Sequence, residues 1–370
     1  MSDANTDIQL PLSKKRSQTA QKIRERIIMA SLIFCAGVTV TITLGIVFIL
    51  LTQTLEFFNP EGHMDGQGNV SVVSPIDFFF GLEWNPLLGG EKHFGVWPLI
   101  FGTMKVAIVA MIFALPVGLI SAIWLSEYAK PKVRNIIKPI IEVLAGVPTV
   151  VFGFFAVTFI TPYLLRWEWW RVKIPDPENA GQYLKDDAGN FLTEPAGLFG
   201  LFDVEVYNAM GAGLAVGIMC LPIVISLSED ALRAVPRALR EGSYGLGASK
   251  FETSVRVVVP AALSGISAAF LLAVARAVGE TMIVALAAGA SPTKLIGQGS
   301  LLDNLTSAAA LDESVLPMTG YIVKIFTGDA AHGTVEYYSS YAVAATLFII
   351  TLTLVIFGNI IQQRFREKYD

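Results

Sequence analysis

Charge is what this chain has least of. Asp, Glu, Lys and Arg supply only 16% of its 370 residues, against about a quarter in an ordinary soluble domain. Hydrophobic residues reach 53% and the mean hydropathy is +0.57. Disorder is thereby excluded, because disordered chains are poor in apolar residues. A formal net charge of -4 with no basic domain argues against nucleic-acid binding. Two cysteines cannot build a disulfide scaffold. The three histidines, His63, His93 and His332, have no metal-ligand spacing. No G-x-x-x-x-G-K-[ST], G-x-S-x-G or H-E-x-x-H motif occurs. The chain therefore carries no P-loop for ATP hydrolysis, and an intramembrane enzyme is the weaker reading.

What is present is a series of long apolar runs. A bilayer core needs roughly 20 apolar residues in helix. Stretches without Asp, Glu, Lys or Arg, or nearly so, predict spans at about 27–51, 98–126, 139–165, 206–228, 257–289 and 337–363. The fold class is thus all-α: a polytopic membrane protein with six transmembrane helices behind a basic N-terminal segment, 1–26. The first run is too long, too Thr-rich and too far from the N-terminus for a cleaved signal peptide, so it is expected to remain as an anchor. Cys35 and Cys220 fall inside spans and are expected as small buried hydrophobes.

Basic residues set the orientation. Eighteen of the 27 lie on the side that holds both termini, and seven lie opposite. Both termini are therefore expected in the cytoplasm. Trp97, Trp124, Tyr163, Trp167, Trp169, Trp170, Tyr337, Tyr338 and Tyr341 sit at span ends, where interfacial aromatics belong. A sugar platform is the rival reading for Trp167–Trp170. Pro116, Pro148 and Pro222 predict kinks inside spans, and Gly213 with Gly217 predicts close helix packing. The external loops, about 52–97, 166–205 and 290–336, are rich in Gly, Pro, Asn and Asp and read as irregular.

Two features rise above this background. One is the inside loop, 229–260. Residues 230–240 suggest a short helix broken at Pro236, and Gly242, Gly245 and Gly247 permit a bend into a second helix. Such a helix–turn–helix is either a handle for a cytoplasmic partner or a plain connector. The other is Arg276 with Glu280 in the fifth span. At one turn's spacing they would share a helix face. Charges at membrane depth are costly and commonly mark a pathway; the alternative is an internal ion pair that pins the bundle. Gly279 beside them would leave room for close approach. An arginine fork suits a tetrahedral oxyanion. Lys105, near a span end, is expected to snorkel, and Glu142 to be structural.

These residues resemble a known family. Glu241, Gly247 and Pro260 stand at the fixed points of the EAA-x3-G-x9-I-x-L-P signature of binding-protein-dependent ABC importer permeases. Gly242-Ser243 replace the two alanines, and Val257 and Val259 replace Ile and Leu. Segments 94–103, 144–153 and 275–282 are similar to phosphate-importer permeases, PstC-type more than PstA-type. The resemblance implies a type I ABC importer permease-like bundle taking up inorganic phosphate. It implies a coupling segment at Glu241, Gly242, Ser243, Gly247 and Ala248, and substrate-pathway residues Arg276 and Glu280. It implies as partners a PstA-type second permease, a cytoplasmic ATPase dimer that binds the ATP and Mg, an external phosphate-binding protein and membrane lipid. No cofactor is implied for this chain itself. A permease for molybdate or sulfate, or a non-transporting membrane scaffold or sensor, remains the alternative.

Overall fold

The computed structural model describes residues 18–59, 61–64, 70–86, 92–165, 171–173, 193–195, 204–293, 295, 310–328 and 330–364. Trp167, Trp169 and Trp170 lie outside them, as does most of the 166–205 loop. The chain divides after Thr52 into two compact units.

The first unit is formed by most of helix α1, Gln18–Phe57. Its apolar side chains, among them Leu32, Phe34, Leu44 and Phe48, are exposed. Its threonines do not interrupt it, because their hydroxyls turn back onto the helix. Thr39, Thr41 and Thr43 each donate to the carbonyl four residues earlier, at 3.0, 2.8 and 2.9 Å. In lipid that internal satisfaction is what a hydroxyl requires. Cys35 is exposed here, contrary to the burial expected of it.

The second unit holds the bundle. Helix α2 (Pro75–Phe80) follows a short hairpin, β1 (His63–Met64) with β2 (Val70–Ser71). A second hairpin pairs β3 (Trp84–Asn85) with β4 (His93–Phe94), and a third pairs β5 (Arg171–Lys173) with β6 (Thr193–Pro195). The helices that follow are α3 (Trp97–Ile123), α4 (Pro131–Leu144), α5 (Thr149–Phe155), α6 (Ala209–Ala234), α7 (Arg237–Gly245), α8 (Lys250–Thr253), α9 (Val259–Ala261), α10 (Leu263–Val278) and α11 (Met282–Ala287). Then come α12 (Met318–Thr327) and α13 (Val335–Arg364). Wider, π-type turns extend α3 through Tyr128 and α5 through Leu165.

Four helices are long and apolar enough to cross a membrane, and six spans result if two bent pairs each count as one. The bends are 88° between α4 and α5 and 71° between the 250–261 segment and α10. Pro148 stands at the first bend as the N-cap of α5. Pro116 and Pro222 do not interrupt α3 and α6. The external segments are less irregular than expected: α2 lies in the 52–97 segment and α12 in the 290–336 segment.

α3 against α6 is the central packing. A Cβ on Gly213 would sit 2.6 Å from Val109 Cβ, and one on Gly217 would sit 3.0 Å from the Ala110 carbonyl oxygen. The glycines therefore let the two backbones touch, as the small-residue spacing foretold. Three cores stack along the bundle. The middle one joins α3, α5, α6, α10 and α11 through Ala110, Phe152, Val216, Ala273 and Ile283. At the end bearing α2 and α12, Phe57, Phe78, Trp84, Phe94 and Tyr321 form an aromatic core. At the end bearing α7, Ala122, Leu232, Val258 and Ile266 close the bundle.

Candidate functional site

The fifth span breaks where its charges lie. α10 ends at Val278, Gly279 caps it, and α11 begins only at Met282. Arg276 occupies the last turn of α10, exposed, with no hydrogen bond or ion pair to any described residue. Glu280 lies in the gap and is 8% exposed. Its Oε1 accepts from the Ile283 backbone N–H at 3.5 Å, and its carbonyl accepts from the Thr319 hydroxyl at 2.7 Å. Each charge thus meets a helix end of favourable sign, Arg276 a C-terminus and Glu280 an N-terminal turn. The expected shared face is not found, because the helix stops between the two residues. No Arg276–Glu280 ion pair forms among the described residues. Both side chains still reach Cys220 on α6 electrostatically. Cys220 is buried, with Sγ 3.8 Å from the Ala273 carbonyl oxygen. A Cβ on Gly279 would meet only carbonyls of its own helix, at 3.4 and 4.0 Å, so no neighbour uses the room it leaves.

Lys105 does not snorkel. It is 7% exposed, and its Nζ donates to the Ala310 carbonyl at 2.7 Å. Asp312 and Glu313 lie close enough to act on its charge. The segment from Ala310 returns over the bundle and explains this. Met210 and Ala209 donate to the Leu311 and Glu313 carbonyls at 2.9 and 3.2 Å, and Val315 donates to the Ala288 carbonyl at 2.8 Å. Met318 N–H then donates to the Thr103 hydroxyl at 2.9 Å. Asn208 caps α6 through the Gly211 N–H, and its amide donates to the Glu205 carbonyl at 2.8 Å. Glu142 is exposed on α4.

The second site is the helix–turn–helix after α6. Val235 and Pro236 end α6 and launch α7, which carries Glu241, Gly242 and Ser243. Gly242 and Gly245 are helical; only Gly247 takes a positive φ, 86°. That left-handed residue makes the turn toward α8, and glycine adopts it without the Cβ clash. Ser249 then opens α8 with a capping box, donating and accepting with Glu252. Ser243, standing where the signature has alanine, hydrogen-bonds Thr253 Oγ1 at 2.9 Å and ties α7 to α8. The turn offers apolar surface: Leu246 is 91% exposed, and Tyr244 and Phe251 are exposed beside it. Glu241, Gly242 and Gly247 are exposed and Ala248 is half-buried, so the five signature residues come together at one end of the bundle.

Sequence reasoning missed Glu229. It is fully buried at the end of α6, and its two oxygens take Arg134 Nε at 2.7 Å and Lys138 Nζ at 2.8 Å from α4. Lys138 also pairs with Asp230. On the other side, Arg240 of α7 donates to Glu127 at 3.0 Å and to the Leu232 and Val235 carbonyls at 2.8 and 2.6 Å. These pairs tie α7 to the end of α3, and α4 to α6. The one signal in the sequence was an acidic pair, Glu229-Asp230, opposite Arg134 and Lys138 on the same predicted membrane side.

An apolar helical bundle with charged residues at a break in one of its apolar spans and an exposed helix–turn–helix at one end has the architecture of a membrane transport component. The family model described as "Binding-protein-dependent transport system inner membrane component" matches residues 114–368, and the chain belongs to that family. It is a permease subunit of an ABC importer. A probable ABC transporter permease protein, YqgH of Bacillus subtilis, is 27% identical over 95% of this chain and 94% of its own length. The phosphate transport system permease protein PstC of Xylella fastidiosa is 27% identical over 79% of this chain and 80% of its own. PstC 1 of Mycobacterium bovis is 30% identical over 68% and 75%. The resemblance to PstC-type permeases is borne out by these relatives. A crystal structure of a bacterial alginate ABC transporter, in complex with its alginate pentasaccharide-bound periplasmic protein, matches at a TM-score of 0.54. It is 13% identical and covers 93% of this chain and 96% of that one, so it carries the fold alone.

Proposed function

We propose that this permease subunit takes up inorganic phosphate, lining the pathway together with a PstA-type second permease. An external phosphate-binding protein delivers the ion, and a cytoplasmic ATPase dimer, which holds the ATP and Mg, drives the cycle. The observation that carries this reading is Arg276, exposed and unpaired at a break inside an apolar span. An arginine there gives a tetrahedral oxyanion two parallel hydrogen bonds. The break matters as well, because irregular backbone at membrane depth is tolerated where it is covered by protein or lines a cavity. Phosphate is favoured among oxyanions by the PstC relatives. Glu280, turned inward, offsets part of the positive potential, so that the anion is not trapped.

The basic-residue asymmetry puts both termini and the α7–α8 turn in the cytoplasm. Closure of the ATPase dimer would push on the exposed Glu241–Ala248 segment, and the Glu229 and Glu127 pairs would pass the movement into α4, α6 and α3. Reconstitution of the complete complex in vesicles tests the proposal. Labelled phosphate uptake should require ATP and loaded binding protein, and Arg276→Gln should abolish it while the complex still assembles. Normal uptake by that variant sinks the pathway role. Competition by molybdate or sulfate at equal concentration sinks the choice of phosphate, and no flux of any anion leaves a scaffold or sensor.

A further inference from the structure

A cavity of about 360 Å³ opens beside the coupling turn, lined by Leu125, Ser126, Glu127, Ala129, Pro131, Arg134, Arg233, Arg237 and Arg240. Four arginines face it and one carboxylate. Glu127 is already held by Arg240. Glu229 sits behind the wall, taken by Arg134 and Lys138, and lies 3.7 Å from Arg233. Arg237 makes no hydrogen bond or ion pair with a described residue. Arg233 and Arg237 are exposed at the rim.

The backbone adds to this charge. Pro131 and Arg134 belong to the first turn of α4, and Arg237 and Arg240 to the first turn of α7. Neither helix has a side-chain cap, and neither has an acid in its first turn. Helix N-termini normally attract carboxylates or caps. Here two of them open into one cavity among arginines. Glu127 and Glu229 balance part of this charge, and Arg237 with the two helix N-termini is left to an entering anion. At about 360 Å³ the cavity has ample room for a phosphate group between the arginines.

We propose that this cavity is a second anion site, separate from Arg276, which takes a phosphate group: that of free inorganic phosphate or of an anionic lipid headgroup. Basic pockets at the ends of membrane helices recognise such headgroups by this chemistry, and a helix N-terminus binds free phosphate by it. Arg237 supplies the uncommitted fork; Arg233, 3.7 Å from Glu229, and Arg134 add the guanidinium ends that Glu229 leaves over, and Arg240 closes the floor against Glu127. The site does not depend on which ion the importer carries.

The test uses the complete complex carrying Arg276→Gln, so that the span break does not contribute binding. In nanodiscs of phosphatidylcholine, labelled inorganic phosphate is titrated. In a parallel arm, native mass spectrometry follows retention of phosphatidylglycerol supplied at 20 mol%. One of these probes is expected to bind saturably, and Arg233→Gln/Arg237→Gln to weaken it about tenfold or more, with the melting temperature unchanged. Arg237→Gln alone should give a several-fold loss. Retention of the lipid alone assigns the headgroup; binding of the ion alone assigns free phosphate. The proposal is overturned if neither probe binds, or if binding is indifferent to the double variant. Protection of Arg233 and Arg237 from arginine-directed modification only when the ATPase is present, with no binding of either probe, also overturns it and assigns a carboxylate of that partner instead.

Discussion

Replacing Glu229 by glutamine keeps the shape of the side chain and removes its charge. The carboxylate is fully buried, whereas the side chains of Arg134 and Lys138 are 23% and 21% exposed. Two charge-assisted hydrogen bonds are weakened, each worth about 1.5–3 kcal/mol. Breaking a buried pair from one side costs about 3–5 kcal/mol. Because both cations can recover water, and Lys138 keeps Asp230, the lower end applies: about 3 kcal/mol, or roughly a hundredfold in the unfolding equilibrium. The assay is tryptophan fluorescence of the purified chain in mixed micelles during an SDS titration. Arg134→Gln and the double variant complete a cycle, and the loss in the double variant should fall short of the sum of the two single losses by about 1–3 kcal/mol. A Glu229→Gln protein within about 0.5 kcal/mol of the parent, or strict additivity, would refute the view that this carboxylate joins α4 to α6.

Gly213→Ala should cost about 1–3 kcal/mol in the same titration, because its methyl would press on Val109 in an already closed contact; an unchanged midpoint would mean that α3 and α6 can part freely. Gly247→Ala has no steric neighbour, so its cost is confined to the left-handed backbone, about 1–2 kcal/mol, and should fall on the turn. Recovery of the ATPase in pull-downs should drop for Gly247→Ala and for Glu241→Ala, and undiminished recovery from both would count against docking at this turn. The charge swap Arg276→Glu with Glu280→Arg should not restore transport, since the two residues occupy separate helix ends; restoration would revive the internal pair.

Local rules made part of this molecule readable and left the rest dark. Gly213 and Gly217 could be read because small residues four apart act on the helix they belong to, whatever its neighbour. That Arg276 and Glu280 would stand out could be read because charges in an apolar run are costly wherever they point. Pro148 was readable as a bend, but Pro116 and Pro222 were not distinguishable from it, since a continuous α3–α6 contact holds their helices in line. Lys105 was misread because its partner, the Ala310 carbonyl, arrives from 205 residues away. Glu280 was misplaced for a different reason. Its spacing from Arg276 assumed an unbroken helix, and the three residues 279–281 leave the helix altogether. Glu229 was missed because its role depends on α4, some ninety residues earlier in the chain, bringing Arg134 and Lys138 against α6.

The Thr319 hydroxyl on α12 holds the carbonyl of Glu280, and that bond joins two places with otherwise separate tasks. α12 belongs to the aromatic core around Trp84 and Tyr321, far along the chain from the coupling turn. A shift of this core by an ångström or so would exceed the slack of a single hydrogen bond. The unwound link at 279–281 lies next in that path, between α10 and α11, and Arg276 stands one turn before it. A displacement of the aromatic core is thereby tied to the arginine's own helix end by one side-chain-to-backbone joint.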